Sequence, residues 1–168
     1  DLLGEFVLRR ACLEAAGWQD SARVAVNISP MQLGKGTLAK VVLAALLESG
    51  LPPDRLEIEV TETALINNEE ESFEDLRRLY DMGVRVALDD FGTGYSSLAH
   101  LRAFPFDKIK IDKSFIRQLS ESAHCSAIVT SILTLGRGLD MSVTAEGVET
   151  EAQLAHLREL GANFVQGF

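Results

Sequence analysis

The 168-residue sequence is short of three things: cysteine, positive charge and long apolar runs. Cys12 and Cys125 are its two cysteines. They lie far apart, without the spacing of a metal knot or a redox pair, so a disulfide scaffold is excluded and two reduced core thiols are expected. Twenty-five acidic residues against 16 basic leave a net charge of −9. That balance argues against a nonspecific grip on DNA or RNA and leaves metal cations welcome. No run of about 18 apolar residues occurs, and the N-terminus lacks the basic, apolar and small-residue order of a signal peptide. The expected setting is the cytoplasm, either free or as the cytoplasmic part of a larger membrane-attached protein. His100, His124 and His156 sit in helical surroundings without a zinc pattern and read as surface or structural residues.

What is present is a regular alternation. Leu3, Val7, Leu8, Ala11 and Cys12 have helical spacing over Leu2 to Ala16, and Gly17 suits the stop. Strands are predicted at Arg23–Ile28, Arg55–Val60, Val84–Leu88, Lys108–Ile111, Met141–Ala145 and Asn163–Val165. Helices are predicted between them: Thr37–Ser49 closed by Gly50, helical segments through Tyr80, a new helix starting near Tyr95, Ser122–Arg137, and Thr150–Leu160 capped by Thr150. The acidic stretch Glu69, Glu70, Glu71, Glu74 and Asp75 reads as a solvated helix face. Strict alternation with near-continuous apolar strands implies a parallel sheet buried on both faces.

The polar residues give the functional signal. Asn27, Glu59, Asp89 with Asp90, Lys110 with Asp112, Glu146 and Gln166 all fall at or beside the carboxyl end of a predicted strand. In a parallel barrel those ends share one rim, whereas an open doubly wound sheet gathers residues mainly at its switch point. The expected fold is therefore an α/β, TIM-like (β/α) barrel. A closed barrel needs at least about 200 residues, so about six of eight strand-helix units are expected here, as a single partial domain over residues 1–168.

Adjacent carboxylates at the end of an apolar strand are costly unless a positive partner meets them. Asp89 and Asp90 read equally as turn residues or helix caps, Asn27 or Ser29 as caps, Glu62 as an exposed first-turn acid, and Glu146 and Glu149 as acids near a helix N-terminus. Taken together, carboxylates from several strands plus an amide oxygen form the hard oxygen set that suits Mg²⁺ or Mn²⁺. Asn27 and Glu59 with Asp89 could hold one ion, and Asp90 and Glu146 a second, with Asp89 bridging. Lys110 would supply positive charge to a phosphate or orient a water. The turn Phe91-Gly92-Thr93-Gly94-Tyr95 lacks both the Rossmann and P-loop spacings, and its glycines read instead as hinges of a mobile loop.

Six motifs in order carry a resemblance: Val-Asn-Ile-Ser at Val26–Ser29, Glu-Val-Thr-Glu at Glu59–Glu62, Asp-Asp-Phe-Gly-Thr-Gly-Tyr-Ser-Ser-Leu at Asp89–Leu98, Lys-Ile-Asp at Lys110–Asp112, Ala-Glu-Gly-Val-Glu at Ala145–Glu149, and Gln-Gly-Phe at Gln166–Phe168. The sequence resembles the EAL domain family of bacterial phosphodiesterases, which cut cyclic di-GMP to linear pGpG. The resemblance implies a two-metal site: Asn27, Glu59 and Asp89 on one ion, Asp90 on the other, and Glu146 as a metal ligand or as the base for the attacking water. It further implies Lys110 as an aid to that water, Asp112 and Glu149 as support, and Gln166 as lining. Glu62 would anchor the loop Phe91–Leu98, which with the neighbouring helix would form a homodimer contact. Fusion to sensory or cyclase-like domains is expected. The Glu-Ala-Leu signature, whose glutamate would be a further ligand, is absent from this stretch, so little activity is expected of the stretch alone. A noncatalytic cyclic di-GMP receptor or protein-interaction domain is the alternative.

Overall fold

The computed structural model describes residues 2–66, 68–94 and 97–168; Asn67, in the predicted helical segments, and Tyr95, the predicted helix start, lie outside the described residues. The elements run α1 (Leu2–Ala16), β1 (Val24–Asn27), α2 (Leu38–Ser49), a 3₁₀ turn (Pro53–Arg55), β2 (Leu56–Thr61), α3 (Glu62–Ile66), α4 (Glu69–Asp81) and β3 (Arg85–Phe91). They continue with α5 (Ser97–Ala103), β4 (Lys108–Ile111), α6 (Lys113–Arg117), α7 (Ala123–Gly138), β5 (Ser142–Val148), α8 (Glu151–Glu159) and β6 (Phe164–Gly167).

All six strands are parallel, and their order in the sheet is their order in the chain. An open doubly wound sheet must reverse that order somewhere. None of these strands does, so the sheet curls steadily in one direction as a half-barrel of the TIM type, with β1 and β6 at its edges.

Period-two alternation sorts the side chains of each strand onto two faces. Leu56, Ile58 and Val60, Val86 and Leu88, Ile109 and Ile111, and Val143 and Ala145 are buried on the convex face among the helices. Helix α4 contributes Phe73, Leu76 and Leu79 at helical spacing, and α7 contributes Val129, Ile132 and Leu133. Gly136 lets α7 approach β5 closely, because a Cβ there would collide with Val143. Fully burying one such side chain is worth about 1.5–3 kcal/mol, so this face supplies most of the folding energy.

Several boundaries differ from the sequence reading. Strand β5 runs past Ala145 to Val148, through a ladder irregularity between Glu146 and Val148. The short helix α6 was not expected. It forms because Asp112 caps it, accepting the Ser114 N–H at 2.9 Å. The acidic face of α4 also needs a correction: Glu69, Glu70, Glu71 and Glu74 are exposed, but Asp75 is fully buried and accepts the Gly36 N–H at 3.2 Å. Ser29 and Asn27 do not cap α2, whose N-cap residue is Thr37.

Candidate active site

The polar residues lie on the concave face. Glu57 and Glu59 alternate along β2, Lys108 and Lys110 along β4, and Asp89 stands between them at the end of β3. Two charged layers result. In the deeper one the Lys108 ammonium meets the Glu57 carboxylate at 2.5 Å. In the upper one Lys110 reaches three carboxylates: Glu146 at 2.7 Å, Glu59 at 2.8 Å and Asp89 at 3.3 Å. Lys110 is only 5% exposed and Glu59 6%, so these charges are held largely out of water.

Two ladder irregularities complete the upper layer. Successive residues of a regular strand point to opposite faces, so Asp89 and Asp90 should diverge. Asp90 instead adopts a left-handed φ of 53°, and the β3–β4 register shifts between Leu88 and Phe91. Asp tolerates this backbone region better than most residues. On the far side of β4, Gly147 takes φ 71° directly after Glu146. Bulges of this kind re-aim side chains. Asp89, Asp90 and Glu146 each place a carboxylate oxygen within 4.8 Å of the other two, and they are the one such acidic cluster among the described residues.

The electrostatics follow from that crowding. Burial lowers the affinity of Lys110 for its proton, but the hydrogen bonds to Glu146 and Glu59 and the Asp89 charge outweigh it, and the pKa stands above the usual lysine value. Lys110 is therefore a cation. Burial raises Glu59 above the ordinary carboxylate range, with Lys110 opposing. Asp90 is raised by burial and by the charges of Asp89, Asp112 and Glu146. Asp112 is shifted the other way: burial would raise it, but hydrogen bonds from Ser114 hold it below its usual value.

The remaining candidates are less tightly gathered. Asn27 stands in register with Glu59, and Gln166 with Glu146, both exposed on edge strands. Glu149 is exposed and faces Arg117 at 3.8 Å. Glu62 is not a solvated first-turn acid: it is buried, and its carboxylate accepts the N–H groups of Gly92 at 3.4 Å and Gly94 at 2.7 Å. The predicted structural histidine His100 is buried edge-on to Phe73. Cys12 and Cys125 are buried free thiols. The Glu57–Lys108 layer escaped the sequence reading, although Glu57-Ile58-Glu59 and Lys108-Ile109-Lys110 display the alternation that predicts it.

Three carboxylates, from Glu59, Asp89 and Glu146, face one ammonium, and a fourth, from Asp90, crowds against the last two. The all-oxygen donors and the excess negative charge fit hard divalent cations. The fold and the site thus define a parallel β/α-barrel domain with an acidic, cation-ready rim. The chain belongs to the EAL domain family, whose model matches residues 1–168.

It is 43% identical over 170 aligned residues, 99% of this chain and 25% of the relative, to the bifunctional diguanylate cyclase/cyclic di-GMP phosphodiesterase MucR of Pseudomonas aeruginosa. The PaMucR phosphodiesterase in its c-di-GMP complex superposes with a TM-score of 0.93, covering 99% of this chain and 69% of that one at 43% identity. Klebsiella pneumoniae BlrP1, in a manganese/cy-diGMP complex, superposes with a TM-score of 0.80 at 36% identity, covering 95% of this chain and 43% of that one. The chain spans about a quarter of the curated relative's length. Among the described residues, no helix is long and apolar enough to cross a membrane.

Proposed function

We propose that this domain hydrolyses cyclic di-GMP to linear pGpG, and that residues 1–168 are one part of a larger EAL-type phosphodiesterase domain. The carrying observation is the Lys110 ammonium held among Glu59, Asp89 and Glu146, with Asp90 turned toward the last two. The phosphodiesterase and c-di-GMP complexes of its relatives support the substrate.

In this reading Asn27, Glu59 and Asp89 would hold one divalent ion, and Asp90 and Glu146 a second. Mg²⁺ or Mn²⁺ held there would supply activation of a water and neutralisation of charge on the phosphoryl group. The chain does the rest. Glu146 acts as a ligand, because its carboxylate clusters with those of Asp89 and Asp90. Lys110, a cation, donates hydrogen bonds and orients the attacking water. Asp112 and Glu149 support the β4 and β5 ends that carry Lys110 and Glu146, and Gln166 lines the neighbouring edge. Glu62 anchors the start of the loop Phe91–Leu98 through Gly92 and Gly94.

We also propose a homodimer across this loop and its neighbouring helices. A groove of about 360 Å³ lined by Phe91, Leu98, Ile128, Ile132 and Leu135 supports it. Fusion to sensory or cyclase-like domains and a cytoplasmic location complete the proposal, the latter supported by the free thiols.

The test is steady-state conversion of cyclic di-GMP to pGpG by the full-length protein with Mg²⁺ or Mn²⁺, and its loss in EDTA. A folded protein that binds the nucleotide tightly without turnover would be a receptor, and the enzymatic reading would fall.

A further inference from the structure

The 2.7 Å contact between Lys110 and Glu146 is not set by the strand ladder alone. Strands β4 and β5 pair from Lys108↔Ser142 to Ile111↔Ala145 and no further. Glu146 lies past the last pair, and its ladder partner on the other side, Gln166, belongs to the exposed edge strand β6. Something else must hold the end of β5 against the end of β4.

Helix α6 and one glutamine do so. Helix α6 follows directly from β4, through Asp112. At its first turn Lys113 packs on Gly147, so tightly that a Cβ on the glycine would lie 2.5 Å from the Lys113 Cβ. At its far end the Ile116 carbonyl accepts a hydrogen bond from the Gln153 side-chain amide, Nε2, at 3.3 Å. The other arm of the same side chain, Oε1, accepts the N–H groups of Glu149 at 2.8 Å and Thr150 at 3.1 Å. Gln153 is buried at the start of α8. Its two arms therefore join the segment after Lys110 to the segment after Glu146.

We propose that Gln153 is a positioning residue for the rim: it clips α6 to the β5–α8 turn and thereby fixes Glu146 against Lys110. Gln153 touches none of the reacting groups. The inference rests on the phosphodiesterase reading for its activity arm and on the acidic rim alone for its metal arm. Outer-shell partners that hydrogen-bond a metal ligand are worth about 10- to 100-fold in activity or metal affinity, and a residue that positions such a ligand through the backbone falls at the lower end of that range.

Gln153→Glu separates the two arms, since it keeps an acceptor for Glu149 and Thr150 but loses the donor to Ile116. Thr150→Ala is the matched control. It removes the hydroxyl that accepts the Gln153 N–H at 3.2 Å and weakens the α8 cap, but leaves the clip in place. In the full-length protein Q153E should lower kcat about tenfold or more with KM within about twofold of wild type. It should also weaken Mn²⁺ binding, titrated without nucleotide, about tenfold. T150A should lower the melting temperature at least as much while leaving kcat and Mn²⁺ affinity within about twofold.

Wild-type kcat and Mn²⁺ affinity in Q153E would overturn the proposal. So would losses in T150A that match those of Q153E, because the effect would then be general destabilisation. Should Q153E not fold, Gln153→Met, which keeps length and apolar packing but neither polar arm, takes its place. A wild type that binds Mn²⁺ without turnover sinks the phosphodiesterase reading, and the Mn²⁺ comparison still decides this one. A wild type that does neither overturns both.

Discussion

The two faces of the sheet are built from the same strands and do opposite things. On the convex face Leu56, Ile58, Leu88, Ile109, Ile111 and Val143 pack beneath helices, and burial there stabilises the fold. On the concave face Glu57, Glu59, Asp89 and Lys110 are also buried, and Lys108 is half-buried. Burying charge lowers stability unless partners return it, and even good partners often only break even. One face holds the fold; the other keeps charges where they are expensive, which is a mark of a functional site rather than of a stability device.

Four substitutions bear on that contrast. Asp89→Asn should have the largest effect, lowering kcat by about 10³-fold, the scale of losing one buried electrostatic stabiliser, with little change in melting temperature. Near-normal turnover in steady-state assays would remove the centre of the functional reading. Lys110→Met should follow. It leaves Glu59, Asp89 and Glu146 facing one another without their cation, and metal-free stability should fall by about 3–5 kcal/mol. Urea melts in EDTA measure this loss, and excess Mg²⁺ should return part of it by binding the folded state. A K110M variant as stable as wild type in EDTA would mean that the concave face is not desolvated.

Ile109→Ala is the convex counterpart. Ile109 is fully buried, so the protein should lose about 2–4 kcal/mol. The kcat of the folded fraction should stay within about twofold. A selective fall in kcat would show that the two faces are coupled. The smallest effect on stability is expected of Asp90→Gly. Glycine adopts the left-handed φ of 53° without a Cβ penalty, and one of four crowded carboxylates disappears. Stability should rise by about 0.5 kcal/mol while activity is lost. A destabilised D90G would show that Asp90 is held by partners strong enough to offset its backbone strain.

The convex face was open to sequence reasoning because apolar periodicity is local and survives without coordinates. The strand-end positions of Asn27, Glu59, Asp89, Lys110, Glu146 and Gln166 were equally legible, and with them the barrel. The concave geometry was less so. Asp89 and Asp90 are adjacent in sequence, and strand alternation alone would have parted them. Their convergence depends on a positive φ at Asp90, which nothing in the letters Asp-Asp requires. Asp75 was misread as solvated because its helix neighbours are exposed acids. Its burial is imposed by the loop at Gly36, some 40 residues earlier in the chain. Helix α6 was too short to show a period. Gln153 carried no signal in the sequence reading, and one of its partners, the Ile116 carbonyl, carries no side-chain signature at all.

The deeper layer of the concave face gives the rim a floor. Beneath the crowded carboxylates the next pair along the bore, Glu57 and Lys108, cancels itself. In the proposed function, a cation drawn toward Asp89 and Asp90 would meet attraction at the rim and a self-neutralised pair below it. Ions would be focused at the mouth rather than drained into the interior. A deep neutral pair thus acts as a stop for traffic it never touches.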